Sequence, residues 1–297
     1  MLASYRQPLA RSKRRIAKIG GLARRVGKGL GWCTRMADEI LTGGHMNTVV
    51  RIGDTVRRQA GAWTSTVHRV LCYARERGVS WVPVPLGYDE VGREVLSFIT
   101  GDVPHGMPAW VWSPVALTDT ARALRQWHDA TSCFDAVGAV WGFDAREPGE
   151  VICHNDFAPY NCVFRDGRFA GAIDFDLCSP GPRLWDIAYT AYRFVPLMPP
   201  LDADVPDGSC ERSPFGVTEM CSRLDTFLAV YAAGSVPIHY GRATVFDMAI
   251  ERLGAIAAWT ASHVTKTGNT SLEKHAQMYL AHAQWIDSAL RGELTHS

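Results

Sequence analysis

Nothing in the cysteine pattern marks a metal site or a redox centre. The eight cysteines include no C-x-x-C pair and no metal-ligand spacing, which excludes a zinc ribbon or a thioredoxin-type motif. They read as buried reduced thiols. No apolar run approaches the roughly 18 residues of a spanning helix. A dominant charge sign is missing too: 31 Lys and Arg stand against 30 Asp and Glu, a net +1, which gives no general argument for nucleic acid or membrane. The expectation is a cytoplasmic protein without a membrane or a specific nucleic-acid partner. Acid is absent from residues 1–35, which hold ten Lys or Arg and five glycines. That stretch also lacks the uninterrupted apolar core of an export signal. It reads as a solvated, disordered tail, residues 1–36, outside the fold; a basic arm for polyphosphate or anionic surfaces is the alternative.

What is present supports a sizeable core, 47% of the residues being hydrophobic in a chain of 297, enough for two lobes around a cleft. The most informative stretch is Val151-Ile-Cys-His-Asn-Asp-Phe-Ala-Pro-Tyr-Asn-Cys-Val-Phe164, followed by Ala172-Ile-Asp-Phe-Asp176. Two apolar runs flank a polar turn, so His154, Asp156 and Asn161 belong on a loop between extended segments. Asp166-Gly167 signals a hairpin, and Phe169 to Phe175 reads as the returning strand. Asp174 then comes back beside the loop. One Asp or Asn in a turn is ordinarily an Asx-turn or a cap; three oxygen-bearing side chains converging at one end of a small sheet suggest chemistry instead.

The spacing matches an arrangement for phosphoryl transfer in which an aspartate accepts the substrate hydroxyl proton, an asparagine five residues later binds metal, and a second aspartate holds Mg²⁺ against nucleotide phosphates. His154-Asn-Asp-Phe-Ala-Pro-Tyr-Asn161, Ile173-Asp-Phe-Asp176 and Gly181-Pro-Arg-Leu-Trp-Asp-Ile-Ala-Tyr189 closely resemble the aminoglycoside phosphotransferase and choline kinase-like family. The resemblance covers about 40–290. It implies an α+β, two-lobed protein-kinase-like fold, with a small antiparallel β-sheet N-lobe (37–103, nucleotide-binding) and a mainly helical C-lobe (104–297, catalytic and substrate-binding). It implies ATP and Mg²⁺ as cofactors, Asp156 as the base, His154 as support for the loop, and Asn161 and Asp174 as metal ligands. The expected activity is phosphoryl transfer to a hydroxylated small molecule, aminoglycoside-, choline- or sugar-like; a non-catalytic nucleotide-binding relative of the same fold is the alternative.

The N-terminal half fits more loosely. Leu41 to Ile52 is a glycine-bearing turn running into an alternating strand, a Gly53-Asp54 hairpin follows, and Thr55 to Arg58 returns. In the family such a loop covers the nucleotide, which points to Gly43, Gly44 and Asn47, although Gly43-Gly44 alone is equally a plain hairpin turn. The phosphate-holding basic residue falls on Arg58; a strand alternates its faces, so Arg57 points away. The helix at Trp63 to Arg77 lacks the glutamate expected to pair with that residue, and His68 stands about where it would be. Pro83 to Tyr88 and Gly92 to Ile99 give two more strands, and Ser97 to Ile99 resemble a hinge offering backbone groups to adenine, with strand-end burial as the simpler reading. Beyond it, helices are expected at 115–129, from Leu184, and at roughly 214–233, 242–264 and 271–291. His128 reads as a packed or capping residue, Asp186 as a brace for the catalytic loop. His275 and His282 share a helical face but have no third ligand. The acids of Leu201 to Asp207 suit either a solvated loop or a cationic substrate.

Overall fold

The computed structural model describes residues 39–41, 49–104, 106–203, 211–234, 236–267 and 272–291. The basic tail, Gly43, Gly44, Asn47 and residues 204–207 of the acidic stretch lie outside the described residues.

A five-stranded antiparallel sheet, in the order β1-β2-β3-β5-β4, forms the first lobe. Its strands are β1 (Glu39–Leu41), β2 (Val49–Ile52), β3 (Thr55–Arg58), β4 (Pro85–Tyr88) and β5 (Glu94–Ser97). Gly53 turns the chain between β2 and β3 with φ of 60°, a conformation that costs glycine little. Strand β5 lies between two neighbours, so Glu94, Val95 and Leu96 are all buried. Helix α1 (Thr64–Glu76) buries Val67, Val70, Leu71 and Ala74, the three- and four-residue spacing of one helical face.

The connection out of this sheet is fixed to the second lobe. Asp102 and Phe164 exchange backbone hydrogen bonds of 2.7 and 2.8 Å. Gly101, at φ 149°, lies so close that a Cβ would stand 2.5 Å from Phe164 O, which excludes any side chain there. Helix α2 (Pro114–Thr131) starts with Ser113 Oγ accepting from Ala116 N at 3.2 Å and proline in its first turn. Its apolar face carries Leu117, Ala121, Leu124 and Trp127, and Trp127 Nε1 donates to Ile152 O at 2.6 Å.

Two small antiparallel ladders follow: β6 (Val151–Cys153) with β9 (Ser179–Gly181), and β7 (Cys162–Arg165) with β8 (Arg168–Ala172). Asp166 and Gly167 turn the second hairpin with φ of 52° and 74°, the primed geometry that suits strand twist. The returning strand ends at Ala172 instead of running to Phe175, because Asp174 adopts φ of 63° and a short 3₁₀ turn, Phe175–Leu177, begins. Trp81, Trp127, Phe157, Phe169 and Phe175 meet edge-on or tilted at centroid distances of 5.0–6.4 Å, forming an aromatic floor beneath the loop. Helices α3 (Arg183–Phe194), α4 (Val217–Ala232), α5 (Arg242–Thr267) and α6 (Glu273–Trp285) complete the lobe, with α5 packed between α3 and α6. Among the described residues no helix is long and apolar enough to cross a membrane.

Candidate active site

The loop from Cys153 to Cys162 is held from below by a single carboxylate. Asp186, in the first turn of α3, is fully buried; its Oδ2 accepts from His154 N at 2.7 Å and its Oδ1 from Asn155 N at 2.9 Å. His128 Nε2 reaches Oδ2 at 3.1 Å while Nδ1 meets Tyr231 Oη at 2.7 Å. Burial works against the charge on Asp186, but the bonds from His128 and the loop outweigh it and hold the carboxyl below its ordinary value. Burial lowers the His128 pKa, so this ring is neutral, donating through Nε2 and accepting from Tyr231.

Asn155 adopts φ of 66°, a left-handed position that asparagine tolerates. Its amide donates to Leu177 O at 2.7 Å and Ser179 Oγ at 2.9 Å, and it accepts from Trp185 Nε1 at 3.1 Å. His154 is buried against Phe175, with ring centroids 4.5 Å apart. Its Nε2 donates to Ile173 O at 3.1 Å, leaving Nδ1 to accept from Asp156 N at 3.3 Å. His154 therefore joins the loop to the strand leading into Asp174 and does not face the reacting side.

Asp156 follows at the mouth of the turn. Its Oδ1 accepts from Tyr160 Oη at 2.6 Å and its Oδ2 from Asn161 Nδ2 at 2.8 Å. Burial raises its pKa above the usual 3.8, with the Tyr160 hydrogen bond opposing the shift. Asn161 Nδ2 also donates to Asp156 O at 3.0 Å, and these two acceptors fix the amide orientation. Asn161 Oδ1 takes no hydrogen bond among the described residues. Ile173 N donates to Asn161 O at 2.9 Å, which sets Asp174 beside it. The Asp174 side chain is 52% exposed and spends only Oδ1, on Arg58 Nη1 at 3.0 Å. Asn161 Oδ1 and Asp174 Oδ2 are hard oxygen donors of the kind Mg²⁺ takes, so these two residues would suit such an ion. Among the described residues no cluster of three His, Cys, Asp or Glu side chains could hold a metal unaided.

Arg58 sits inside a knot of acids. It is 8% exposed, with Nη2 on Asp176 Oδ1 at 2.5 Å, Nη1 on Asp174 and Nε against Glu94 Oε1. Arg57, on the other strand face, bonds Thr55 Oγ1 at 2.6 Å and stands 3.7 Å from Asp89. The absent helix glutamate is replaced from an unexpected direction. Glu94 on β5, 1% exposed, faces Arg58, and His68 of α1 meets its other oxygen at 3.0 Å. His68, which stands about where the helix glutamate was expected, contacts Glu94, so the carboxylate that meets Arg58 belongs to the sheet. Ser97 is absorbed by the sheet, its N–H donating to Val84 O at 2.9 Å and its hydroxyl accepting from Val84 N at 2.8 Å. Ile99 packs on Gly171, where a Cβ would come within 3.0 Å of Ile99 Cδ1.

Beside Asp156 opens a cavity of about 210 Å³, with Tyr160 and Tyr189 on one side and Arg252, Trp259 and Tyr279 from α5 and α6 on the other. His275 lines it as well, whereas His282 is buried against Tyr192 Oη at 2.7 Å, so the two histidines share no site. Sequence reasoning missed Glu94, Asp176, Tyr160 and Arg252.

Residues 111–220 match the model of the phosphotransferase enzyme family. A trifolitoxin immunity protein of Rhizobium leguminosarum bv. trifolii is 40% identical over 153 residues, 49% of this chain and 58% of that protein. The chain thus spans little more than half the length of that relative. Among solved structures, choline kinase of Cryptosporidium parvum Iowa II is 12% identical with a TM-score of 0.59, covering 86% of this chain and 90% of its own. The GDP and kanamycin complex of APH(2'')-IIia is 10% identical with a TM-score of 0.53, covering 84% and 94%. At such identities the likeness is one of fold. The segment 111–220, which carries the loop built around Asp156, is similar to the phosphotransferase enzyme family, and the chain has the two-lobed protein-kinase-like fold seen in aminoglycoside phosphotransferases and choline kinases.

Proposed function

We propose that the chain transfers the γ-phosphoryl group of ATP to a hydroxyl of a small molecule. The observation that carries this reading is the juxtaposition of Asp156, hydrogen-bonded through Tyr160 and Asn161, with a cavity large enough for an acceptor. Asp156 orients the acceptor hydroxyl and takes its proton as the bond to phosphorus forms. Tyr160 and Asn161 keep the carboxylate from rotating away. Mg²⁺ at Asn161 Oδ1 and Asp174 would neutralise charge on the transferring phosphate. Arg58 would exchange part of its acid contacts for nucleotide phosphate, while Glu94 keeps the guanidinium in place. Gly43, Gly44 and Asn47 would cover the phosphates, and Ile99 would lie at the adenine side, in a protein of the ATP-containing cytoplasm.

The non-catalytic alternative loses its main ground, since Glu94 supplies the carboxylate that α1 lacks. The relative named for immunity to trifolitoxin makes toxins the first acceptors to try, ahead of hydroxylated amines and sugars. Acceptor-dependent ADP release across such a panel is the expected result. Binding of Mg–ATP without release for any acceptor would return the chain to the non-catalytic class. Arg58→Lys should weaken Mg–ATP binding by about tenfold, the worth of one charge-assisted bond, whereas Arg57→Ala should change it by less than about twofold. Calorimetric titration compares the two, and the reverse order would remove Arg58 from the phosphate site.

A further inference from the structure

Arg252 of α5 is 3% exposed, yet its Nε and Nη1 have no hydrogen-bond partner among the described residues. Its Nη2 donates to Asn155 O at 2.5 Å, and the guanidinium lies 4.7 Å from the centroid of the Trp185 ring and 5.1 Å from that of Tyr189. Ring faces attract a cation but leave its remaining N–H groups unbonded. A guanidinium does not give up its proton, so buried donors of this kind call for an acceptor from outside. The same arginine lines the cavity beside Asp156. The other walls are largely aromatic, Phe143, Trp259 and Tyr279 among them, and Asp156 is the sole carboxylate among the described lining residues. A cationic acceptor would meet the charge of Arg252 there, with only the base to balance it. At about 210 Å³ the cavity is smaller than the roughly 300 Å³ at which drug-sized sites begin, which suits one ring.

We propose that the acceptor is a hydroxylated single-ring carboxylate: its ring rests on the aromatic walls, its carboxylate accepts from Arg252, and polycationic amines are excluded. The proposal rests on the phosphotransferase reading of Asp156. Two probes test it, 4-(2-hydroxyethyl)benzoate and 4-(2-hydroxyethyl)benzylamine, which share ring and hydroxyl and differ in charge. Binding is measured by calorimetry on the full chain, and ADP release is followed separately. The benzoate should bind at least about tenfold more tightly than the amine. Arg252→Lys, which keeps the charge and loses the planar fork, and Arg252→Met should both erase that preference. If the Arg252 variants do not fold, Trp259→Ala, at a site 41% exposed, should weaken both probes while keeping their order. Equal binding, tighter binding of the amine, or binding of neither at millimolar concentration overturns the proposal. A retained preference without ADP release supports the pocket assignment and counts against phosphoryl transfer; ADP release with the amine alone does the opposite.

Discussion

Asp156→Ala should lower phosphoryl transfer by about 10²–10⁴-fold, the share usual for general acid–base catalysis, and leave Mg–nucleotide affinity almost unchanged. Alanine is the better substitution here, because asparagine would set its own amide nitrogen against Asn161 Nδ2 in one of its two orientations. The neighbours tolerate the loss: Tyr160 Oη keeps Tyr189 Oη at 2.7 Å, and Asn161 Nδ2 keeps Asp156 O at 3.0 Å. Asp174→Asn should do the reverse, weakening metal affinity by replacing an anionic oxygen with a neutral amide. The pH profile gives a second readout. Burial places the Asp156 pKa above 3.8, so transfer should decline as pH falls through that raised value, where the protonated carboxyl can no longer accept. The alanine variant should lack this limb. Equal effects of the two substitutions on rate and metal affinity, or an acid limb unchanged in Asp156→Ala, would remove Asp156 as the base.

Asp186→Ala should destabilise the chain by about 3–5 kcal/mol, because it strips a buried network of its only anion and strands its donors. His154 N, Asn155 N and His128 Nε2 all depend on this carboxylate. For a fold of this size, each kcal/mol moves Tm by roughly 2–4 °C, so a fall of about 6–20 °C is expected. The sign with pH follows from the depressed pKa of Asp186. Its stabilisation is complete above the ordinary 3.8 and is lost as pH falls through the lower native value, so the wild type should lose Tm there and the variant should not. A fall below about 2 °C in scanning calorimetry at neutral pH would show that the loop is held by other means.

The parts of this site that the sequence disclosed are those in which chemistry and chain are contiguous. His154, Asp156 and Asn161 lie in one turn, and the Asp166-Gly167 hairpin returns Asp174 to it within a few residues. Strand alternation said only that Arg57 and Arg58 share no face, and the choice of Arg58 came from the family resemblance. Glu94 was not, because it reaches Arg58 only through the sheet order that puts β5 beside β3, a pairing across 36 residues that no local pattern encodes. Arg252 was hidden for the same reason: nothing in the α5 sequence says that its side chain passes under Asn155, 97 residues earlier. The expected strand to Phe175 failed at Asp174, whose positive φ is set by its surroundings and not by propensity. The acidic stretch at 201–207, a candidate for meeting a cationic acceptor, contributes Asp202 to none of the described cavity lining.

Because Arg252 both walls the acceptor cavity and holds the backbone of Asn155, recognition and turnover share one atom group. A lineage under selection for new acceptors would therefore have little freedom at this position, since any change of appetite there would also loosen the turn that carries the base. Diversification should instead run along the same helix about two turns further on, at Trp259 and Thr260, and across on α6 at His275, all of which line the cavity. A library restricted to those three positions should yield altered acceptor range with turnover retained, and one centred on Arg252 should yield mostly inactive progeny.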